Sequence, residues 1–190
     1  MTPKRPKIAA LLLAAGRSSR FGGDKLAAKI HERSILERSA TVVAKTNCYW
    51  RIAVTAPASP HPPALGFQSI ENKERDEGIA SSIRLGVSWA EDVGADGVLI
   101  ALADMPYVET HHFQALIDRA LAAPVQLSFT TVGDRRMAPA AFLKRWFPAL
   151  LALHGDEGAR AIIRDAPNDA SVEAPIESLR DIDQPDDLMS

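Results

Sequence analysis

Apolar residues recur along the chain in two alternating patterns. Continuous apolar runs are typical of buried strands, and they begin at Ile8, Trp50, Gly97 and Val125. Between these runs, apolar side chains recur every three or four positions, a spacing that predicts amphipathic helices. The positions with helical spacing are Leu36, Ala40 and Val43; Ile79, Ile83, Val87 and Ala90; and Phe113, Leu116, Ile117 and Ala120. The pattern therefore predicts strands over 8–15, 50–55, 97–104 and 125–131, separated by helices.

The alternation of the two patterns indicates the fold class. Strands that lack polar alternation need apolar cover on both faces of their sheet, and amphipathic helices supply it. We therefore predict an α/β fold with a mostly parallel, twisted sheet and helices on both faces. The stretch SILE, from Ser34 to Glu37, has the form of a capping box and predicts the start of one helix. Four prolines predict a surface connection after the second strand, namely Pro57, Pro60, Pro62 and Pro63.

Composition and charge narrow the class of protein. With 190 residues, 46% of them hydrophobic and 24% charged, the chain has the size and composition of one domain over residues 1–190. The net charge of -2 provides no broad basic field, so nucleic acid is not an expected partner. The single cysteine, Cys48, excludes an internal disulfide framework and agrees with a cytoplasmic location. The N-terminal apolar run is too short to span a bilayer, so no membrane association is expected.

Two segments follow predicted strands and carry candidate chemistry. In the loop after the first strand, Gly16 permits a close backbone approach, and Arg17, Arg20 and Lys25 supply cations that suit phosphate oxygens. In LADMP, the apolar strand delivers Asp104 at its end, and Pro106 stops the strand ladder. In such sheets, ligands bind beyond the carboxyl ends of the strands.

A magnesium ion would connect the two segments, because Mg²⁺ takes one or two protein carboxylates and fills its shell with water and substrate phosphate. The predicted ligand is a nucleoside triphosphate. The loop lacks the Gly-Lys-Ser/Thr of a Walker A motif, and the chain has no G-x-G-x-x-G stretch. The alternatives at this point are a solvated turn for the cations and a helix-capping role for Asp104.

Five segments occur along the chain in this order: LAAGRSSRFGGDKL, LADMP, EGIASSIRLGV (Glu77 to Val87), GDEGARAII (Gly155 to Ile163) and DIDQPDDL (Asp181 to Leu188). Together they resemble the MobA-like nucleotidyltransferases related to molybdenum cofactor guanylyl- and cytidylyltransferases. The resemblance runs from about Ile8 to the end of the chain and implies a Rossmann-like nucleotidyltransferase fold. It also implies Mg²⁺-dependent transfer of CMP from CTP to the molybdopterin cofactor, with release of pyrophosphate.

The resemblance also implies roles for individual residues. The catalytic residues would be Arg17, Lys25 and Asp104. The metal ligands would be Asp104 and Asp183, with Asp181 as a weaker candidate. The alternative for Asp183 is an Asx turn. The opening Leu-Ala-Ala-Gly resembles the cytidylyltransferase branch, whereas the guanylyl branch carries Leu-Ala-Gly-Gly. The residues implied in nucleotide binding are Leu13, Ala14, Ala15, Gly16, Arg17, Arg20, Lys25, Gly78, Ser81, Ser82 and Asp104.

Alternatives remain open at the acceptor side. The chain has Met137-Ala138-Pro139 where the family carries Gly-His-Pro or Gly-Asn-Pro, and Arg135 and Arg136 are either acceptor contacts or exposed charges. GDEGAR is either a helix start capped by Asp156 or a contact with substrate or a partner subunit.

The alternative functions are a guanylyltransferase, a nucleotidyltransferase for another phosphorylated acceptor, and a non-catalytic carrier that delivers the cofactor to a client molybdoenzyme. His111 and His112 are adjacent and do not share a helical face, so no metal site is expected there.

Overall fold

The structure, a computed structural model, describes residues 5–16, 21, 24–62, 64–179 and 182. Its main sheet, within these residues, has seven strands in the order β5-β4-β1-β6-β8-β7-β9, and β2 and β3 form a separate hairpin. The strands are β1 (Ile8–Ala14), β2 (Lys29–Ile30), β3 (Arg33–Ser34), β4 (Trp50–Thr55), β5 (Phe67–Glu71), β6 (Gly97–Leu102), β7 (Leu127–Val132), β8 (Arg135–Leu143) and β9 (Ser171–Glu173).

The helices follow the strands in the alternation that the sequence predicts. The α-helices are α1 (Ile35–Ala44), α2 (Ile79–Asp92), α3 (Thr110–Ala122), α4 (Phe147–Leu151) and α5 (Arg160–Ile163). Short 3₁₀ turns lie at Lys25–Ala27, Arg75–Glu77, Lys144–Trp146, Asn168–Ala170 and Ile176–Leu179. Of the helices in the described part of the chain, none combines the length and the apolar character that crossing a bilayer requires.

The sheet is mostly parallel, as predicted. Strands β5, β4, β1 and β6 run in the same direction, and so do β7 and β9. Only β8, among the described strands of this sheet, runs antiparallel to its neighbours β6 and β7. The carboxyl ends of β1, β4, β5, β6 and β7 consequently meet at one edge, which we call the carboxyl edge. The turn between β7 and β8 lies at the same edge.

Two apolar layers cover the sheet, which confirms the prediction of helices on both faces. Alternate residues of β1 point to opposite faces, so that Leu12 belongs to one layer and Leu11 to the other. Helices α1 and α3 pack on the first face, and α2, α4 and α5 pack on the second. The predicted capping box at the start of α1 is also present. The Ser34 hydroxyl accepts a hydrogen bond from the Glu37 N–H (3.1 Å), and the Glu37 carboxylate accepts one from the Ser34 N–H (2.7 Å).

Several strands were not predicted from the hydrophobic pattern. Strand β5 is a largely exposed edge strand with few apolar residues, so its pattern is weak. Strand β8 begins with two arginines and contains Pro139, which normally argues against a central strand. The pairing of β7 with β8 shifts between Phe129 and Thr130, and this bulge accommodates the proline. The predicted strand 97–104 ends at Leu102, and Asp104 lies in the following turn.

Candidate active site

The end of β1 forms the floor of the candidate site. Leu13, Ala14 and Ala15 are buried, whereas Gly16 is exposed. The Leu13 carbonyl accepts a hydrogen bond from the N–H of Ala103 at 3.0 Å, so the chain that follows β6 is joined to the end of β1. Among the described residues, no atom lies within 4 Å of the position that a Cβ at Gly16 would take, so these residues leave its backbone accessible.

Lys25 enters the site from the first turn of the 3₁₀ helix that follows the glycine-rich loop. Asp24 caps this turn, since its carboxylate accepts hydrogen bonds from the N–H groups of Leu26 (3.1 Å) and Ala27 (3.3 Å). Lys25 itself is 6% exposed, which is unusual for a lysine. A buried ammonium group is stable only beside anionic or polar partners, so Lys25 must have such partners in the site.

The buried ammonium of Lys25 reaches the carboxylate of Asp104. Lys25 Nζ lies 3.0 Å from Asp104 Oδ2, and the Asp104 side chain is 34% exposed. Asp104 does not cap the next helix, because α3 begins at Thr110 with Glu109 at the cap position. The Ser39 hydroxyl donates to the carbonyl of Ala103 (2.9 Å) and thereby holds the turn that carries Asp104. The structure therefore brings together two predicted groups that lie 79 positions apart in the sequence.

Gly78, Ser81 and Ser82 lie at the start of α2, on the same edge of the sheet. Gly78 has a φ of 91°, a conformation that favours glycine. Ser81 and Ser82 are 3% and 5% exposed, and both hydroxyls accept hydrogen bonds of 2.9 Å from the side-chain amide of Asn72. Their role in nucleotide binding stays a prediction.

Asn72 is a positioning residue that the sequence did not reveal. It follows β5 and is 3% exposed. Its N–H donates to the carbonyl of Thr55 (2.8 Å), and its side-chain carbonyl accepts from the N–H of Glu74 (2.9 Å). Asn72 therefore joins the end of β4 to the loop that leads to Gly78. An isolated asparagine in a polar loop has no sequence signal that marks it as buried.

The GDEGAR segment packs against the start of α2 and leads into α5. Helix α5 begins at Arg160, within this segment, but without a side-chain cap, so the alternative in which Asp156 caps it is wrong. The alternative contact with substrate or a partner subunit stays a prediction. The carbonyl of Gly155 instead accepts a hydrogen bond from the Ala80 N–H at 3.1 Å. A Cβ at Gly78 would lie 2.4 Å from Asp156 Oδ1 and 2.5 Å from the Gly155 backbone. This close approach needs a glycine at position 78.

Arg136 has a structural role that neither sequence interpretation anticipated. Its Nη1 donates to the carbonyls of Ile163 (3.2 Å) and Arg164 (3.0 Å), and to that of Ala166. Arg136 therefore supplies hydrogen bonds to backbone carbonyls at and beyond the end of α5. Arg135, by contrast, is exposed. Met137 is half-buried against the core, which accounts for an apolar residue at this position.

Four predicted residues lie outside the described part of the chain, namely Arg17, Arg20, Asp181 and Asp183. Their roles therefore stay predictions. Ile182, between the two aspartates in sequence, is described and buried. Its N–H lies 3.4 Å from the backbone carbonyl of Asp104. Ile182 thus lies against the turn that carries Asp104.

Two further polar residues have structural roles. His112 is buried and its Nε2 lies 2.9 Å from the hydroxyl of Thr130, which donates to the carbonyl of Pro139 (2.7 Å). Because the hydroxyl proton is used, His112 is the donor in the first contact. Burial, and less strongly the neighbouring His111, lowers the pKa of His112 from 6.5 to about 4. Cys48 is buried, and burial raises the pKa of its thiol.

The residues at the carboxyl edge fit a divalent cation that is bound largely by substrate. Within the residues that the structure describes, no three His, Cys, Asp or Glu side chains form a ready-made metal cage. Magnesium does not require one, since one or two carboxylates, water and phosphate oxygens complete its shell. Asp104 offers a partly exposed carboxylate beside a buried lysine. This donor set matches a metal that enters with a polyphosphate.

Comparisons with known proteins agree with this chemistry. A model of the MobA-like NTP transferase domain matches residues 10–172. The purine catabolism protein PucB of Bacillus subtilis (strain 168) is 29% identical over 172 residues, which cover 85% of this chain and 82% of PucB. A molybdenum cofactor guanylyltransferase of Rhodobacter capsulatus is 24% identical over 119 residues, which cover 62% of this chain and 59% of that protein.

The fold agrees with the same assignment. The crystal structure of Rv0371c from Mycobacterium tuberculosis H37Rv superposes with a TM-score of 0.78 at 22% identity, covering 98% of this chain and 97% of that one. A structure of Rv0371c in complex with manganese superposes with a TM-score of 0.68 at 20% identity, covering 88% and 87%. The predicted fold class is confirmed. We conclude that this chain belongs to the family of MobA-like NTP transferase domains and is a nucleotidyltransferase.

Proposed function

We propose that the protein transfers CMP from CTP to the molybdopterin cofactor in a Mg²⁺-dependent reaction that releases pyrophosphate. The observation that carries this proposal is the contact of 3.0 Å between Lys25 Nζ and Asp104 Oδ2 at the carboxyl edge. An ammonium group and a carboxylate held side by side provide one partner for phosphate oxygens and one for a divalent cation. A triphosphate with its bound cation needs both partners within a few ångströms.

The pair also has a role before substrate arrives. Each group neutralises the other, so the buried ammonium of Lys25 has a partner in the ligand-free protein. With a triphosphate bound, Lys25 would donate to phosphate oxygens and Asp104 would hold the divalent cation. The bound cation would neutralise charge on the phosphates and orient them. Lys25 is thereby already positioned for the developing charge of the transition state.

The reaction requires alignment rather than a covalent enzyme intermediate. A terminal phosphate oxygen of the acceptor attacks the α-phosphorus of CTP, and the bond between the α-phosphorus and the bridging oxygen to the β-phosphate breaks. Pyrophosphate leaves with the electrons of that bond. We assign Lys25 and Arg17 to the triphosphate, with Arg20 in a lesser role. Asp104 would be the main metal ligand and Asp183 a second one. The contact between Ile182, the residue before Asp183, and the Asp104 backbone supports this assignment.

The preference for a pyrimidine base is proposed from the floor of the site. Ala15 is 5% exposed and lies between buried Ala14 and exposed Gly16, in the stretch where the resemblance implies base binding. Its methyl group narrows the space at this backbone, which favours cytosine over the larger guanine. Leu13, Ala14, Gly16, Gly78, Ser81 and Ser82 complete the proposed nucleotide site.

A guanylyltransferase is the second candidate, because one relative is named a molybdenum cofactor guanylyltransferase. That name also supports the molybdopterin cofactor as acceptor. A client molybdoenzyme is the proposed recipient of the product. The lone buried cysteine agrees with the cytoplasm as the proposed location.

The decisive experiment measures pyrophosphate release by the purified protein with Mg²⁺, the molybdopterin cofactor and each of the four ribonucleoside triphosphates. We expect the highest kcat/KM with CTP and loss of turnover when the metal is chelated. Ala15→Gly should raise the relative turnover of GTP. Higher turnover with GTP in the unaltered protein would overturn the cytidylyl assignment. Absence of pyrophosphate with every triphosphate would overturn the proposed reaction.

A further inference from the structure

The side chain of Arg84, on α2, joins two segments that flank the start of that helix. Its Nη1 donates to the carbonyl of Leu153 at 2.9 Å, and its Nη2 lies 2.6 Å from Glu77 Oε2. The Arg84 side chain is 22% exposed, so the guanidinium is largely enclosed. Each of its terminal nitrogens therefore has a partner in a different segment of the chain.

The first segment is the loop from Asn72 to Gly78, which leads into α2. Asn72 fixes the beginning of this loop, since its side-chain amide donates to two hydroxyl groups in the first turn of α2 at 2.9 Å. Glu77 is the last residue before Gly78, so its ion pair with Arg84 fixes the end of the loop. The loop is thus held against α2 at both of its ends.

The second segment, residues 153–158, lies against the same helix start. The Gly155 carbonyl accepts a hydrogen bond from the Ala80 N–H at 3.1 Å. Leu153 follows α4 by two positions, so the hydrogen bond from Arg84 fixes the point where this segment leaves α4. The same segment leaves no room for a Cβ on the residue before α2. The position of the glycine at 78 therefore depends on both segments.

An arginine suits this arrangement better than a lysine. The guanidinium is planar and presents its donors in fixed directions, whereas an ammonium group is a single point charge on a flexible stem. One guanidinium can therefore hold a carboxylate and a backbone carbonyl at a fixed mutual distance. Because both partners of Arg84 are protein groups, its effect on a ligand would pass through Glu77 and Gly78.

We infer that Arg84 is a positioning residue for the nucleotide, which acts through Glu77 to hold Gly78 in place against residues 153–158. The inference rests on the proposed function, in which Gly78 is part of the nucleotide site, and it adds a residue that does not itself touch substrate. Loss of Arg84 would loosen the loop and weaken nucleotide binding. Binding that is equal in the ground state and the transition state affects KM and leaves kcat unchanged.

The test compares Arg84→Met with the unaltered protein in the assay of pyrophosphate release. We expect the KM for CTP to rise about fivefold or more, with kcat within about twofold. Arg84→Lys should restore part of the affinity, because a lysine can reach only one of the two partners.

Arg119→Met is the matched control for a general loss of stability. Arg119 is also a helix arginine that donates to a backbone carbonyl of a distant segment, that of Asp169 at 3.2 Å. Asp169 precedes β9, so this contact lies at the edge of the sheet opposite to the carboxyl edge. The control should keep its KM for CTP within about twofold. A rise in KM equal to that of Arg84→Met would overturn the inference.

A double-mutant cycle tests whether Arg84 acts through Glu77. The Glu77 side chain is 58% exposed, so Glu77→Ala should fold normally and removes only the contact with the loop. We expect this variant to raise the KM for CTP, and the double variant with Arg84→Met to have the KM of Arg84→Met alone. Independent effects that multiply, or an unchanged KM in Arg84→Met, would overturn the inference.

Equilibrium binding of each of the four ribonucleoside triphosphates with Mg²⁺ provides a readout that does not require turnover. Arg84→Met should bind the preferred triphosphate at least about fivefold more weakly than the unaltered protein and Arg119→Met do. If the unaltered protein releases no pyrophosphate but Arg84→Met loses affinity, the proposed reaction fails while the inference stands. Pyrophosphate release with equal affinity in all three proteins would overturn the inference alone. Absence of triphosphate binding to the unaltered protein would overturn both.

Discussion

Lys25 Nζ lies 3.0 Å from Asp104 Oδ2, although 79 positions separate the two residues along the chain. The contact forms because β1 and β6 are parallel neighbours, so the loops that follow them leave the sheet at the same edge. The hydrogen bond from the Ala103 N–H to the Leu13 carbonyl holds the two loops together (3.0 Å). The sheet thus fixes the distance between the cationic and the anionic half of the site.

Loss of either member of this pair should reduce catalysis more than stability. For Lys25→Met and Asp104→Asn we expect kcat/KM to fall on the order of 10²- to 10³-fold, the effect of removing one preorganised electrostatic group. Asp104→Asn should also raise the Mg²⁺ concentration required for half-maximal rate. Lys29→Met is the control, because Lys29 is an exposed lysine on the neighbouring hairpin. Unchanged kcat/KM in Asp104→Asn would contradict the assigned role.

The glycine at position 78 should tolerate no side chain. In Gly78→Ala the new methyl would lie 2.4 Å from Asp156 Oδ1 and 2.5 Å from the Gly155 backbone, and the φ of 91° would add backbone strain. We expect a loss of about 2 kcal/mol or more in the free energy of unfolding, measured by urea denaturation, together with a higher KM for CTP.

Gly94→Ala separates the two causes. Gly94 also has a positive φ, 72°, but no atom of the described residues lies within 4 Å of its added Cβ. This variant should lose only about 1 kcal/mol, the cost of the backbone conformation alone, and should keep its KM for CTP. Equal destabilisation of the two variants would show that the contact with residues 155–156 does not contribute to the loss of stability in Gly78→Ala.

The two adjacent arginines of β8 should differ in their effect on stability. Arg136→Met removes the donor for the carbonyls of Ile163, Arg164 and Ala166, and we expect it to lower the free energy of unfolding by about 1.5–3 kcal/mol. Arg135→Met removes an exposed charge and should change it by less than about 0.5 kcal/mol. Thermal and urea unfolding of both variants measure this difference. The same result in both would contradict the structural role of Arg136.

Acidification should destabilise the fold through His112. Its pKa is about 4 in the folded protein and 6.5 ordinarily, so the unfolded chain binds the proton more readily. Stability is therefore fully present above pH 6.5 and decreases as the pH falls towards 4, by an amount on the order of 2–3 kcal/mol since one pKa unit corresponds to about 1.4 kcal/mol.

His112→Gln isolates this contribution, because glutamine can donate to Thr130 but does not titrate. Its unfolding free energy, measured by urea denaturation from pH 7 to pH 4, should fall less steeply than that of the unaltered protein. Protonation of the other titratable groups changes the unfolding free energy of both proteins equally. The difference between the two curves therefore reports His112 alone. Parallel curves would contradict a neutral, buried His112.

The hydrophobic pattern predicted the elements whose apolar residues form one continuous run or one helical face, and it missed elements that lack such a pattern. Strand β4 occupies the predicted residues 50–55, since its apolar run is buried. Strand β5 lies at the sheet edge with exposed residues, and β8 combines two arginines with a proline, so neither has the pattern of a buried strand. Asp156 shows the same limit. Its sequence context suggested a helix cap, but the tertiary packing of Gly155 on the start of α2 decided its place.

The sequence by itself determined the chemistry that this protein can bring to a site. The apolar runs specified the α/β class, the short motifs indicated the family, and Lys25 and Asp104 were recognisable because each follows a buried strand. Only the tertiary structure decided which groups meet. The burial of Asn72 depends on contacts between distant segments, and so do the hydrogen bonds from Arg136 to the carbonyls at the end of α5. Single polar residues carry no periodic pattern that reveals such contacts.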